Sequence, residues 1–431
     1  MAHDDHFHCF AFPAGIKAGP GGSAVRKDTW LRSVFLPGVL PVPVTSLRPD
    51  LELYSLTDDL TALVHTQNKK LPQSARLDSL GQTAGGRELH VLKLGANIND
   101  KPKTARVLFT GGLHAREWLG PTYTYLIAEW LVTNYPTSPG GGPNPAFAKD
   151  LLDNNHIWLV PMCNPDGHEY TVTTERMHRK NSPGGDSHFQ SAPGAKPARD
   201  AKAPPSIDLN RNFATKQWQA IIDSKKGSFS AKEDGDTFAG KSAASATEVQ
   251  LLQKMIDATP FDLAVDHHTY DCALLYPYGD DPGKAKQNKR LVAFSGLMQK
   301  QINRKAAKNI TTQPGTADNW SLYKISSFYA DLYKSLGITP GLSPEQSLIP
   351  GSITDYIIYA AEGASPPRKT LAWSMELPPM HHAGSPGFNP PESIIRPAFN
   401  QLIGTSLALI KNATADDPKA ADFSLFDIVA P

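Results

Sequence analysis

Residues 105–120 read ARVLFTGGLHAREWLG, and this stretch decides the fold. ARVLFTGG is a strand candidate that delivers the chain to His114, and Glu117 follows three residues later where an amphipathic helix begins. Taken alone the pair is weak, because a helix-capping histidine and a solvated first-turn acid give the same pattern. Its weight comes from a second polar cluster, DHHTYD at 266–271, which also ends an apolar run. A catalytic zinc takes three protein ligands and leaves a fourth position open. His114, Glu117 and one of His267 or His268 would supply the three.

On either side of this core, strand and helix patterns alternate. Leu53, Leu56, Leu60 and Leu63 recur at three- and four-residue steps, which predicts a helix between Leu51 and His65. GQTAGGRE reads as a turn leading into LHVLKLG, a short strand. Pro121–Tyr135 carries Leu126, Ile127, Trp130 and Leu131 on one stripe, and Pro136 with SPGGG ends that helix. HIWLVPM reads as a strand that breaks at the turn NPDG. A helix over Ala246–Ile256, the strand FDLAVDHH, and a basic helix over 284–308 follow. TLAWSMEL, at 370–377, places Leu371, Trp373 and Met375 on one side and Ser374 and Glu376 on the other. A last helix runs from Ile395 to Ile410. This alternation predicts an α/β sheet covered on both faces.

Composition narrows the partners. The 431 residues carry 43 basic and 42 acidic groups, a net charge of +1 with no dominant basic block, so neither nucleic acid nor an anionic membrane is expected. Cys9, Cys163 and Cys272 match no four-cysteine zinc site and can form at most one disulfide. The start MAHDDHFHCF lacks a signal peptide, and no spanning helix is visible, so the sequence by itself points to the cytoplasm. Residues 1–48, rich in Gly and Pro, read as an irregular extension, 49–411 as one catalytic domain and 412–431 as a tail. Residues 181–206 read as a long surface insertion, and SKKGSFSAKEDGD at 224–236 as a second polar stretch.

Three ligands at the carboxyl ends of strands agree with where open α/β sheets place their chemistry. A hydrolase built on them needs a general base, and Glu376, opposite the large apolar residues of its strand, is the candidate. Arg179 in MHRKN and Arg211 in DLNRNF follow strand-to-turn regions. Guanidinium groups pair with carboxylates and steady oxyanions. Asp208 is placed to accept a hydrogen bond from the far nitrogen of a ligand histidine.

HAREW, PMCNPDGHEYT, RMHRKN, IDLNRNF, HTYDCALLYPYG, GSITDY and WSMEL occur in this order, and with them the chain resembles the M14 zinc metallocarboxypeptidases of the carboxypeptidase A/B and T group over residues 50–411. The resemblance implies one zinc per chain on His114, Glu117 and His268, which leaves His267 outside the metal shell. It implies Glu376 as general base and Arg179 as the group that polarises the scissile carbonyl. Asn210 and Arg211 would bind the substrate's terminal carboxylate, Arg116 and Tyr270 would line the cleft, and Asp208 would partner His114. The implied fold is a mixed, mostly parallel eight-stranded sheet between helices. The implied reaction is hydrolysis of the C-terminal peptide bond.

The chain departs from the family's pattern in three places. The position of the family's mobile tyrosine falls on Ser347, or with a small shift on Leu348 or Ile349, with Tyr329 and Tyr333 as distant substitutes. Pro378 and Pro379 follow the WSMEL strand where a charged residue is usual. Thr354 and Gly279 occupy the specificity positions without charge, so neutral, apolar or aromatic terminal residues are expected. Some 45 residues precede the domain, too few for the family's folded activation segment, so latency by a propeptide is not expected. Many family members are secreted, which stands against the cytoplasmic expectation. The sequence does not indicate an oligomeric state. Two alternatives stand beside the peptidase: an amidohydrolase or deacylase of small N-acyl amino acids or toxin amides, and a zinc-retaining binding protein with vestigial activity.

Overall fold

The strands at the centre alternate strictly, and the alternation sorts the molecule into layers. In β3 (Arg106–Gly111), Val107 and Phe109 face one core while Leu108 faces another. β5 (Leu263–Thr269) sends Leu263 and Val265 to the first core and Ala264 to the second. β8 (Leu371–Leu377) does the same with Leu371, Trp373, Met375 and Leu377 against Ala372. The first face is covered by the helices Leu119–Asn134, Lys289–Ile310 and Glu392–Lys411, through Leu126, Ile127, Phe294, Met298, Leu402 and Leu407. The second is covered by Thr247–Ala258 and Ile353–Gly363, through Val249, Leu252, Ile353 and Ile357. This computed structural model describes residues 52–136, 145–182, 205–270, 273–310, 324–326, 348–378, 381–382, 385–386, 388, 392–417 and 421.

The remaining strands are β1 (Ala75–Gln82), β2 (Glu88–Leu94), β4 (His156–Val160), β6 (Ala273–Leu275) and β7 (Lys324–Ser326), in the sheet order β1-β2-β4-β3-β5-β8-β6-β7. The expectation of a mostly parallel eight-stranded sheet is corrected here. Seven strands run through the body of the sheet, the three-residue β7 adds at one edge, and the pairing is close to evenly mixed. β3–β4, β3–β5, β5–β8 and β6–β7 are parallel, whereas β1–β2, β2–β4 and β6–β8 are antiparallel. The physical reason lies in the connections. β1 and β2 form a hairpin closed by Thr83 N–H donating to Arg87 O at 2.9 Å, and the chain reverses from β5 to β6 within a few residues, so β6 runs antiparallel to β8, the parallel neighbour of β5 between them.

Several boundaries also shift. The first helix runs over Glu52–Lys70. NPDG opens a helix, Pro165–Thr173, in place of the expected turn: Asn164 caps it by accepting from Gly167 N–H, and Pro165 stands in the first turn. The basic helix is two, Pro282–Gln287 and Lys289–Ile310. The extension at 1–48, the body of the insertion at 181–206, most of the tail, Ser347, Tyr329, Tyr333 and Pro379 lie outside the described residues. No helix among the described residues is long and apolar enough to cross a membrane.

Candidate metal centre and active site

The polar residues collect where β3, β5 and β8 end. After β3 the backbone turns at Gly112, whose φ of +71° favours glycine. A Cβ on Gly111 would come within 2.7 Å of Gly120 O, and one on Gly120 within 2.6 Å of His267 O. These contacts let the helix Leu119–Asn134 sit directly on the sheet, so the turn 112–118 hangs over the strand ends. Ala115 N–H donating to Arg179 O at 2.9 Å ties that turn to the segment bearing Arg179.

On β5, alternation separates the adjacent histidines. His267 turns into the first core, stacks on Phe109 and bonds Thr124 Oγ1 through Nδ1 at 2.8 Å. His268 turns to the opposite face with Asp266. Its Cα partner on β8 is Glu376, so in this parallel pair the two side chains leave the same face of the sheet. His268 Nδ1 lies 3.1 Å from His114 Nδ1 and 2.8 Å from Glu117 Oε2, while His114 Nδ1 lies 2.7 Å from Glu117 Oε1. The ligand atoms of His114, Glu117 and His268 all fall within 4.8 Å of one another, and the three residues are buried.

The outward nitrogens face acids. His268 Nε2 is 2.6 Å from Asp266 Oδ2, and His114 Nε2 is 3.3 Å from Asp208 Oδ1. Each acid favours a proton on the outer nitrogen, which would leave the inner lone pair for a metal. A divalent cation would meet two imidazole Nδ1 lone pairs and a carboxylate there; without it, both Nδ1 atoms stand at hydrogen-bonding distance from Glu117. Without metal, burial works against charge on Glu117, but the His114 and His268 rings outweigh it and hold the carboxyl well below its usual range. For Asp208 burial is likewise outweighed, by Arg179, His114 and Arg211.

A ring of further residues surrounds the cage. Arg179 donates from Nε to Asp208 Oδ2 at 2.9 Å and brings Nη1 to 3.7 Å from Glu117 Oε1. Asn210 sets Nδ2 3.3 Å from His268 Nε2 and accepts Ile353 N–H. Arg211, buried, donates to Ser228 O and to Asn210 O, and among the described residues no carboxylate ion-pairs with it. Ile349 N–H donates to Gly279 O at 3.0 Å, and a Cβ on Gly279 would lie 3.2 Å from Ile349 Cβ. Thr354 is buried one residue before Asp355, whose carboxylate accepts Gly279 and Asp280 N–H. The Phe388 ring lies between Arg116, 4.6 Å from its centroid, and Tyr270, 4.6 Å centroid to centroid.

A family model for zinc carboxypeptidases, Peptidase M14, matches residues 60–403. The chain belongs to that family. Among its relatives, Carboxypeptidase B of Astacus astacus is 29% identical over 225 residues, 52% of this chain and 63% of that protein. Inactive metallocarboxypeptidase ECM14 of Ajellomyces capsulatus (strain H143) is 28% identical over 210 residues, 48% of this chain and 31% of that protein. Each match covers less than two thirds of the relative's own length. The crystal structure of the carboxypeptidase A from Helicoverpa armigera covers 85% of this chain and 74% of its own, with a TM-score of 0.60 at 22% identity, a likeness of fold. The family's metal is zinc, and the cage fits it in ligand type, number and supporting acids.

Sequence reasoning missed two residues here. Asp266 lies two before His268 on one strand, so strand periodicity alone could have placed both on one face. Asp236, 3.2 Å from Arg116 Nη1, is 120 residues away in the chain and left no local signal.

Proposed function

We propose that the chain is a zinc-dependent exopeptidase that hydrolyses the C-terminal peptide bond of peptides. One observation carries this reading: His268, which completes the cage with His114 and Glu117, shares its register position with a further carboxylate, Glu376, so these two side chains leave the same face of the neighbouring strands β5 and β8. Zinc bound in the cage supplies a Lewis acid that polarises a water and the scissile carbonyl. Glu376 takes a proton from the attacking water as its oxygen bonds to the carbonyl carbon, and passes it to the leaving nitrogen as the C–N bond breaks. Arg179, steadied by Asp208, offers its guanidinium to the developing oxyanion.

Arg211 gives the reaction its end-specificity. Among the described residues this buried guanidinium hydrogen-bonds to carbonyls and to no carboxylate, which holds it in place and leaves it open to a guest carboxylate, and Asn210 stands next to it. Ile349 packed over Gly279, with Thr354 uncharged, favours a neutral, apolar or aromatic terminal side chain. In place of the family's tyrosine, Ser347 or, with a small shift, Leu348 or Ile349 brings no phenol.

Likeness to a relative named inactive leaves activity to be decided by these residues. Glu376→Gln is expected to keep its zinc and lose about 10²- to 10⁴-fold in kcat. Peptides with an amidated C-terminus should be left uncut beside the same peptides with a free carboxylate. Equal turnover of both forms would sink the exopeptidase reading.

A further inference from the structure

The second polar stretch ends in a braced loop. Ser230 N–H donates to Thr237 O at 2.9 Å and Gly235 N–H to Lys232 O at 3.1 Å, and Ser230 bridges to Phe238. The buried ammonium of Lys180 donates to Glu233 O at 2.8 Å and Gly235 O at 2.9 Å. Phe238 is buried, and its carbonyl accepts Asp208 N–H at 2.8 Å. Both anchors therefore come from segments that build the cage: Lys180 follows Arg179, and Asp208 backs His114.

From this rigid base Asp236 sets Oδ2 3.2 Å from Arg116 Nη1. Arg116 directly precedes Glu117, and its other contacts are Met177 O at 3.2 Å and the Phe388 ring. Arg211 takes its partners from Ser228 and Asn210, so the two guanidiniums flank the cage on different segments. With the terminal carboxylate read at Arg211 and the oxyanion at Arg179, Arg116 is the guanidinium left for the residues that precede the cut.

We propose that Asp236 determines specificity in the hydrolysis proposed above, by pairing with Arg116 and cancelling the positive charge offered to substrate residues on the amino side of the scissile bond. An acidic residue there meets a neutralised arginine and a like charge beside it, so the loop selects against acidic upstream residues. The inference rests on the exopeptidase reading.

The test uses the zinc-loaded full chain and N-blocked peptides with one fixed aromatic C-terminal residue, and Asp, Ala or Lys at each of the two positions before it. The readout is the Asp/Ala ratio of kcat/KM. In Asp236→Asn this ratio should rise about three- to fivefold, the scale of a partly exposed charge contact, and the gain should shrink in high salt. Asp236→Glu should restore the native ratio, and in an Arg116→Gln background Asp236→Asn should produce no gain. A ratio within about 1.5-fold of wild type, where even a weak exposed pair is absent, would overturn the proposal. So would an equal gain without Arg116. If the native protein cuts no peptide of the series, the exopeptidase reading falls and this inference with it, a result distinct from a series that is cut at an unmoved ratio.

Discussion

Buried carboxylates occur in this fold in two settings. Glu117 and Asp208 are buried beside imidazoles and guanidiniums, and both are held below the usual carboxylate range in the metal-free chain. Glu248 and Asp355 are equally buried but face no cation among the described residues. Burial pushes the Glu248 carboxyl up to about 7 and, joined by the charge of Asp280, pushes Asp355 well above its ordinary value. Desolvation is common to both pairs, so the neighbours decide the sign. The first setting presents negative charge to a cation, and the second favours the protonated form of acids that hydrogen-bond within the scaffold.

The largest break in this contrast comes from removing a ligand. His268→Ala leaves Glu117 with one imidazole and empties the strand position beside Glu376. Zinc content should fall from one per chain by elemental analysis, and kcat/KM should drop by about 10³-fold or more, the loss of several kcal/mol of charge stabilisation. Full zinc occupancy with native turnover in this variant would end the assignment of the cage.

Asp208→Asn is a gentler break. It keeps the shape but removes the charge that faces His114 Nε2 at 3.3 Å and Arg179 Nε at 2.9 Å. Zinc affinity, measured by competition with a chelator, should weaken about 10- to 100-fold, with kcat falling further as Arg179 loses its anchor. An unchanged affinity would mean that Asp208 does not support the ligand.

Much of this centre could be read in the residues. His114, Glu117 and His268 are polar groups that follow or end apolar runs, and Glu376 shares its side of β8 with Ser374. The choice between His267 and His268 stayed open on spacing alone, because both are imidazoles at a strand end. Only the register, His267 with Met375 and His268 with Glu376, shows which of them faces the site. β1 escaped because ARLDSLGQ lies at the solvent edge with one fully buried residue, so its apolar alternation is faint. Missing β1 also removed the antiparallel hairpin from the expected sheet. The Arg116–Asp236 pair is a tertiary contact between a helix entry and a loop tip, and no local pattern encodes it.

The smallest expected effect sharpens the contrast from its neutral side. Glu248 accepts Asn181 Nδ2 on Oε2 at 3.1 Å, while Oε1 is buried without a partner among the described residues. Its folded value of about 7 lies above that of an unfolded glutamate. The fold therefore binds this proton more tightly than the unfolded chain does. The associated stability is complete below about pH 4.3, where both states are protonated, and is lost as pH rises through 7. Glu117 and Asp208 contribute in the opposite sense, with stability lost only as pH falls below the unfolded carboxylate range, so they stay constant between pH 5 and 8. Glu248→Gln has no proton to lose, and its amide keeps an oxygen for Asn181. Between pH 5 and 8 the melting temperature of the zinc-loaded wild type should fall relative to that of Glu248→Gln by on the order of 5 °C. Parallel profiles would show that Glu248 stays ionised inside the fold, and a buried carboxylate without a cationic neighbour would then have escaped the rule that separates the two groups.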